Sequence, residues 1–379
     1  MRDDIYMLWL SSKVNDLGSR KLNGLLEIFG TARDVFNADK QALQERAKLT
    51  PHAMDVLTSD CSLDYIESMM DDMESKGIMY LSRNSDIFPI LLKTIPDPPL
   101  GIFFIGMLPA DDTNKIAIIG SRKCSEYGLM TARLLAKPLA QAGVVVVSGM
   151  ARGVDSMAHR GALDGGGKTI AVLGCGVDIC YPSENAALRQ EIIGNGCVMS
   201  EYPPGTRPLP AYFPARNRII SGLSHGVVVT EAGKKSGTLI TVDQAMEQGR
   251  EVLAVPGNIS SKLSQGTNAL IRDGAHPVAD YTDVLSVMSI STPRTVEKTK
   301  KQAPRHKKEA IQQTIIEKIP QNLAPDEKQV YDSLTLEAIS FDTLLDKTDI
   351  EPGRLHLICM GLELKGLARK LPGSRYIRS

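Results

Sequence analysis

The sequence predicts an α/β protein: an extended Rossmann-like, doubly wound parallel sheet with a helical N-terminal domain and a C-terminal winged helix. Three observations carry this. Apolar, β-branched runs recur at 101–105, 115–119, 144–148, 168–173, 197–200, 226–230 and 251–255. Helical patterns at 127–142, 156–163, 184–193, 216–223 and 239–248 separate most of them. The runs do not alternate apolar with polar, which marks strands buried on both faces beneath covering helices.

Residues 1–75 read as short helices at 4–10, 19–29, 31–35, 39–47 and 50–57, a helical domain of SAM or helix-hairpin-helix character. Gly30 suits the residue after a helix, and Thr31 and Asp39 suit N-caps. The segment 76–100 is a connector whose four prolines from Pro89 to Pro99 call for an extended path. The sheet domain takes 101–290. Residues 291–321, basic and almost free of large apolar side chains, have the composition of a linker. Residues 322–379 pattern as a winged helix, with helices at 325–334, 340–348 and 351–365 and a two-stranded wing around Pro372-Gly373. The third helix, carrying Glu351 and Glu363, has few basic residues, so packing against protein is as good a use for it as contact with DNA.

The chain has 44 basic and 44 acidic residues, which speaks against indiscriminate coating of nucleic acid but leaves room for a local basic groove. No apolar run approaches a membrane span, and the N-terminus lacks the pattern of a secretory signal. Six scattered cysteines without a CxxC pair read as reduced thiols of a cytoplasmic protein, and no metal or cofactor is expected.

The chemistry gathers in the turns after the strands. Ile118-Ile-Gly-Ser-Arg-Lys-Cys-Ser125 keeps only Gly120 of a dinucleotide fingerprint, and no acid follows for a ribose. Its backbone N–H groups, Ser121, Arg122 and Lys123 suit an anion instead. Ser148-Gly-Met-Ala-Arg-Gly-Val-Asp155 sets Arg152 between Gly149 and Gly153. Asp155 suits a helix cap, and His159, one turn on, a structural hydrogen bond rather than a catalytic one. Gly165-Gly-Gly-Lys-Thr169 precedes a strand and is no P-loop. After 226–230 come Glu231, Lys234, Lys235, Ser236, Gly237 and Thr238, the last two opening a helix. In a parallel sheet these turns share one edge, so Arg122, Arg152, Arg216, Arg218, Lys234 and Lys235 are expected along one anion-binding rim.

Taken together, Gly120-Ser121-Arg122, Ser148 through His159, Phe213-Pro-Ala-Arg-Asn-Arg218 and Glu231 through Thr238 resemble the bacterial DNA-processing protein A family (DprA/Smf) over almost the whole chain. The resemblance implies sequence-independent binding of single-stranded DNA, protection of incoming DNA in natural transformation, loading of the RecA recombinase, and a homodimer formed through the Rossmann domain. It implies no catalysis. Gly120, Ser121 and Arg122 would hold phosphates with Gly149 and Arg152 beside them. Phe213 would stack a base, and Arg216, Asn217 and Arg218 would line or organise the groove. Some family members carry a lysine after Tyr-Pro; here Tyr181-Pro182 leads to Ser183 and Glu184. A nucleotide glycohydrolase of related fold is the competing reading. Its Gly-Gly-x-Gly-Thr-x-x-Glu turn would place a carboxylate where this chain has Thr241. A winged-helix transcription factor is weaker still. Arg218 has a second expectation as well: to face inward and pair with Glu231 or Asp155.

Overall fold

The computed structural model describes residues 2–289, 323–335, 338–371 and 373–378. The chain divides into two compact units, Met1–Thr292 and Pro293–Ser379. The basic linker expected at 291–321 and Pro372 of the wing lie outside the described residues.

The first unit is built on a nine-stranded sheet. Its strands are β1 (Met79–Ser82), β2 (Gly101–Gly106), β3 (Lys115–Ile119), β4 (Val145–Ser148), β5 (Thr169–Val172), β6 (Gly196–Ser200), β7 (Gly226–Val229), β8 (Glu251–Ala254) and β9 (His276–Pro277). The order is β1-β2-β6-β5-β4-β3-β7-β8-β9. From β6 to β9 all pairs are parallel. The sheet is parallel as expected except at one edge, where β2 runs antiparallel to both β6 and β1. The cause is the connection: β2 and β3 are not linked by a covering helix, so no right-handed crossover sets their direction. The connector supplies β1 itself, and it buries Phe88, Leu92, Ile95 and Leu100.

Chain order doubles back between β3 and β7. Strands β4, β5 and β6 extend to one side of β3, while β7 and β8 extend to the other. This is a topological switch point, where the turns leaving two neighbouring strands diverge and open a crevice. One face of the sheet packs Ile116, Ile118, Val146 and Val228 against the helices Glu126–Gln141 and Val154–Asp164. The other packs Ala117, Val147, Val172 and Val229 against the helices Tyr212–Gly222 and Thr238–Glu247.

The N-terminal helices pack on one another and also on the sheet. Trp9, Leu22, Leu25 and Leu57 share a core with Phe103, Val177 and Tyr202, so residues 1–75 and the sheet form one compact body. Two further helices appear there, Val14–Leu17 and Leu63–Ser75. Thr31 and Asp39 cap their helices through Asp34 and Ala42 N–H groups.

The second unit has helices Pro325–Ser333, Phe341–Thr348 and Pro352–Leu364 and a sheet ordered β10 (Ile339–Ser340), β12 (Arg375–Arg378), β11 (Ala368–Leu371). This is the winged-helix pattern. Its third helix exposes Leu357, Met360 and Leu364 instead of a basic face. Among the described residues no helix is long and apolar enough to cross a membrane.

Candidate nucleic-acid interface

A hollow of about 620 Å³ opens at the switch point. Its wall takes in Gly120, Ser121, Arg122 and Lys123 from the turn after β3, Ala151 from the turn after β4, Asp155 from the start of the helix that follows, and Tyr181 from beyond β5. Ser236, Gly237 and Thr238 close it from the turn after β7. Phe213, Arg216, Asn217 and Ile220 come from one helix.

That helix decides the fate of the arginine pair. It begins at Tyr212, four residues before the expected start, with Pro214 tolerated in its first turn. Phe213, Arg216, Asn217 and Ile220 then fall at i, i+3, i+4 and i+7, one face, while Arg218 lies about 200° from Arg216. Accordingly Arg218 is absent from the hollow. Its guanidinium donates to Glu201 (2.6 Å), Asp97 (3.2 Å) and Ser19 (3.0 Å). Burial opposes its charge, but Glu201 and Asp97 hold its pKa above the usual value. The groove-lining role expected of Arg218 is therefore corrected, and so are its expected partners. It pins the first helices and the connector to the sheet.

Arg216 is the one whose charge acts on Asp155. It is buried, and it donates to the Gly149 carbonyl at 3.0 Å and to that of Val172. Burial lowers its pKa to about 10, with Asp155 working in the opposite direction, so it remains a cation at neutral pH. A Cβ on Gly149 would sit 2.7 Å from the Arg216 guanidinium and 2.8 Å from Asp155, which is why that position is glycine. Asp155 accepts from the N–H groups of Gly149 (3.2 Å) and Ala151 (3.4 Å). It thus braces the loop before its helix instead of capping the helix. Gly153, at φ 79, precedes that helix, and a Cβ there would come within 2.6 Å of the Ser121 carbonyl, locking two turns together.

His159 is fully buried, with Nδ1 2.7 Å from the Thr169 hydroxyl. That hydroxyl donates to the Val146 carbonyl (2.7 Å), so Nδ1 carries the proton. Burial, helped by Arg216, drives the His159 pKa down to about 3. It is a neutral structural histidine, joined to Thr169 and not to Asp155.

Glu231 fills a place expected to be open to a ligand. Its carboxylate accepts from the Ser125 N–H (2.8 Å) and hydroxyl (2.5 Å), while the Ser125 hydroxyl accepts from the Gly128 N–H at 3.2 Å. The N-terminus of the helix Glu126–Gln141 is therefore satisfied from within. Arg122 is a free cation of this turn, exposed and 5.1 Å from the Phe213 ring centroid. Lys123 is also exposed. Tyr181, a residue the sequence reading did not select, adds a second ring 5.5 Å from Phe213 and 42% exposed. Its signal was an aromatic residue in the turn after a buried strand.

Besides Arg218, three more expected cations do not line the hollow. Lys234 and Lys235 are exposed on the turn after β7, outside its wall. Arg152 lies beside Ala151 with one guanidinium edge on Glu184, Nη2 at 2.7 Å and Nε closer.

Comparison with known proteins agrees with this arrangement. Residues 79–289 match the family model of the DNA recombination-mediator protein A, and residues 317–374 that of the DprA winged helix domain. The DNA processing protein DprA of Streptococcus pneumoniae is 46% identical over 201 residues, 53% of this chain and 71% of that protein. The Smf protein of Synechocystis is 29% identical over 98% of both chains. The crystal structure of the pneumococcal DNA processing protein A superimposes with a TM-score of 0.62 at 36% identity, over 76% of this chain and 97% of that one. The DNA processing protein A of Helicobacter pylori, solved for its single-stranded DNA binding mode, gives 0.50 at 31% identity, over 56% and 95%. With the sheet domain and the winged helix both matched, the chain belongs to the DNA recombination-mediator protein A (DprA/Smf) family of DNA-processing proteins.

Proposed function

We propose that the chain binds single-stranded DNA without regard to sequence, protects it, and delivers it to the RecA recombinase, acting as a homodimer through the sheet domain and catalysing no reaction. The observation that carries this is Arg122 over Phe213 at the mouth of the switch-point hollow, an exposed cation beside a ring. A ring accepts any base by stacking and a guanidinium grips any phosphate, so the pair selects a strand and not a sequence. Unpaired bases are needed for such stacking, which disfavours duplex. The binding mode of the Helicobacter pylori relative supports the same ligand.

A glycohydrolase would need a free carboxylate over the sugar. Among the described residues the wall of the hollow holds one carboxylate, Asp155, already engaged by two N–H groups and facing Arg216, while Thr241 stands where the competing family has its acid. Incubation with nucleoside monophosphates is expected to release no free base.

The test is titration of a fluorescent oligothymidylate and its duplex across salt. Single strand is expected to bind far more tightly. Arg122→Ala should weaken it roughly tenfold and flatten the log–log salt slope by about 0.7, one phosphate's worth. Phe213→Ala should cost on the order of 1–3 kcal/mol with the slope unchanged. Equal binding to both forms, indifferent to Arg122, would reject the reading. Recombinase delivery is checked by whether the full chain shortens the lag in RecA assembly on single strands coated with single-strand-binding protein. Light scattering tests the dimer.

A further inference from the structure

We propose that Glu184 acts as a built-in substitute for a DNA phosphate on Arg152, so that Arg152 engages the strand only by exchanging one anion for another. The inference rests on the reading that single-stranded DNA lies at the switch-point hollow, and it concerns what sets the affinity there.

The pairing is the one a phosphate would make. Arg152 presents Nε and Nη2 side by side to the two oxygens of Glu184, the fork geometry that guanidinium uses for carboxylate and phosphate alike. Both side chains remain open to solvent, 63% and 49% exposed, so a polyanion can reach either. Their neighbours along the chain, Ala151 and Tyr181, line the hollow.

Glu184 is held where it is by more than its own charge. It belongs to the single turn Ser183–Asn185, and the amide of Asn185 donates to the Met150 carbonyl and the Ser156 hydroxyl, both at 2.9 Å. The carboxylate is thus delivered to Arg152 by a turn fastened on either side of that arginine. An exposed pair has little net attraction of its own, because each charge is well solvated and the two side chains lose freedom in pairing. A strand already held through Arg122 and Phe213 brings phosphates at high local concentration, and these can displace such a carboxylate. The cost is the repulsion between the displaced Glu184 and the strand.

The experiment compares the full chain with Glu184→Gln, Arg152→Ala and the double variant in oligothymidylate titrations across salt. Glu191→Gln, which opens a similar surface pair with Arg160, is the control for loss of one negative charge. Glu184→Gln is expected to bind about two- to fivefold more tightly than wild type, with the salt slope little changed because Arg152 meets a phosphate in both complexes. The gain should vanish when Arg152 is also replaced, and Glu191→Gln should behave as wild type. Melting curves of each variant establish that it is folded. The proposal is overturned if Glu184→Gln binds no more tightly, if its gain survives Arg152→Ala, or if Glu191→Gln matches it. A wild-type chain without affinity for the strand would instead overturn the reading on which the proposal stands.

Discussion

At the scale of single residues, two arginines two positions apart have opposite duties. Arg216 supports the floor of the hollow and Arg218 ties the N-terminal helices to the sheet, because a helix turns about 200° between them. Neither is a free phosphate clamp, which leaves that task to Arg122. The same polar floor makes a prediction through His159. Its pKa is about 3 in the folded chain against 6.5 ordinarily, so the unfolded chain takes up the proton first as pH falls. The stabilisation from keeping it neutral is complete above about pH 6.5 and is lost as pH falls towards 3. By pH 4.5 the loss should reach roughly 2–3 kcal/mol. Asp155 and Glu201, raised by burial, act with the opposite sign, since the folded state binds their protons more readily. Urea unfolding of wild type and His159→Gln at pH 7 and 4.5 isolates the histidine: the wild type should lose more stability between the two, and equal losses would refute the assignment.

At the scale of elements, the start of the helix Glu126–Gln141 shows how a turn that looks built for a ligand can be used up internally. Ser125 caps the helix, Glu231 holds Ser125, and Gly128 leaves space that a Cβ would take from the Glu231 carboxylate. Ser125→Ala removes the cap and one bond to a buried carboxylate, so it should destabilise by about 1–2 kcal/mol, read as a lower urea midpoint at unchanged slope. Because the helix end faces Glu231 and not the hollow, the variant's affinity for oligothymidylate should stay close to that of wild type. A large loss of affinity in a folded variant would mean that this helix end does contact the ligand. The N-terminal helices teach a related lesson. Their caps at Thr31 and Asp39 were readable, since capping is a matter of three or four neighbouring residues. That their apolar faces close on Phe103 and Tyr202 as well as on one another was not readable.

At the scale of the molecule, the hollow owes its place to strand order. Reversal between β3 and β7 separates the turns that carry Arg122 and Ser236, and the helix carrying Phe213 stands over the gap. All of these lie in the compact unit that ends at Thr292. Residues 1–289 on their own are therefore expected to unfold in one cooperative transition and to bind oligothymidylate with an affinity near that of the full chain. Truncation that abolishes folding would show that the second unit is needed to complete the first.

The residues alone specified the alternation of strands and helices, the glycine turns, the winged-helix pattern and the gathering of Gly120, Ser121, Arg122 and Thr238 at one sheet edge. These follow from periodicity and from the rule that turns of a parallel sheet share an edge, both of which operate over short stretches of chain. Tertiary structure alone decided the antiparallel edge of β1 and β2, the carboxylate of Glu231 on Ser125 106 residues away, and the burial of Arg218 against Asp97, 121 residues away. It also set Glu184 on Arg152. A charge pattern says that a cation is present, but which anion neutralises it depends on the direction of the side chain and on distant segments brought within hydrogen-bond reach. Arg218 faces the interior because it lies about 200° round its helix from Arg216, within reach of Asp97 and Glu201.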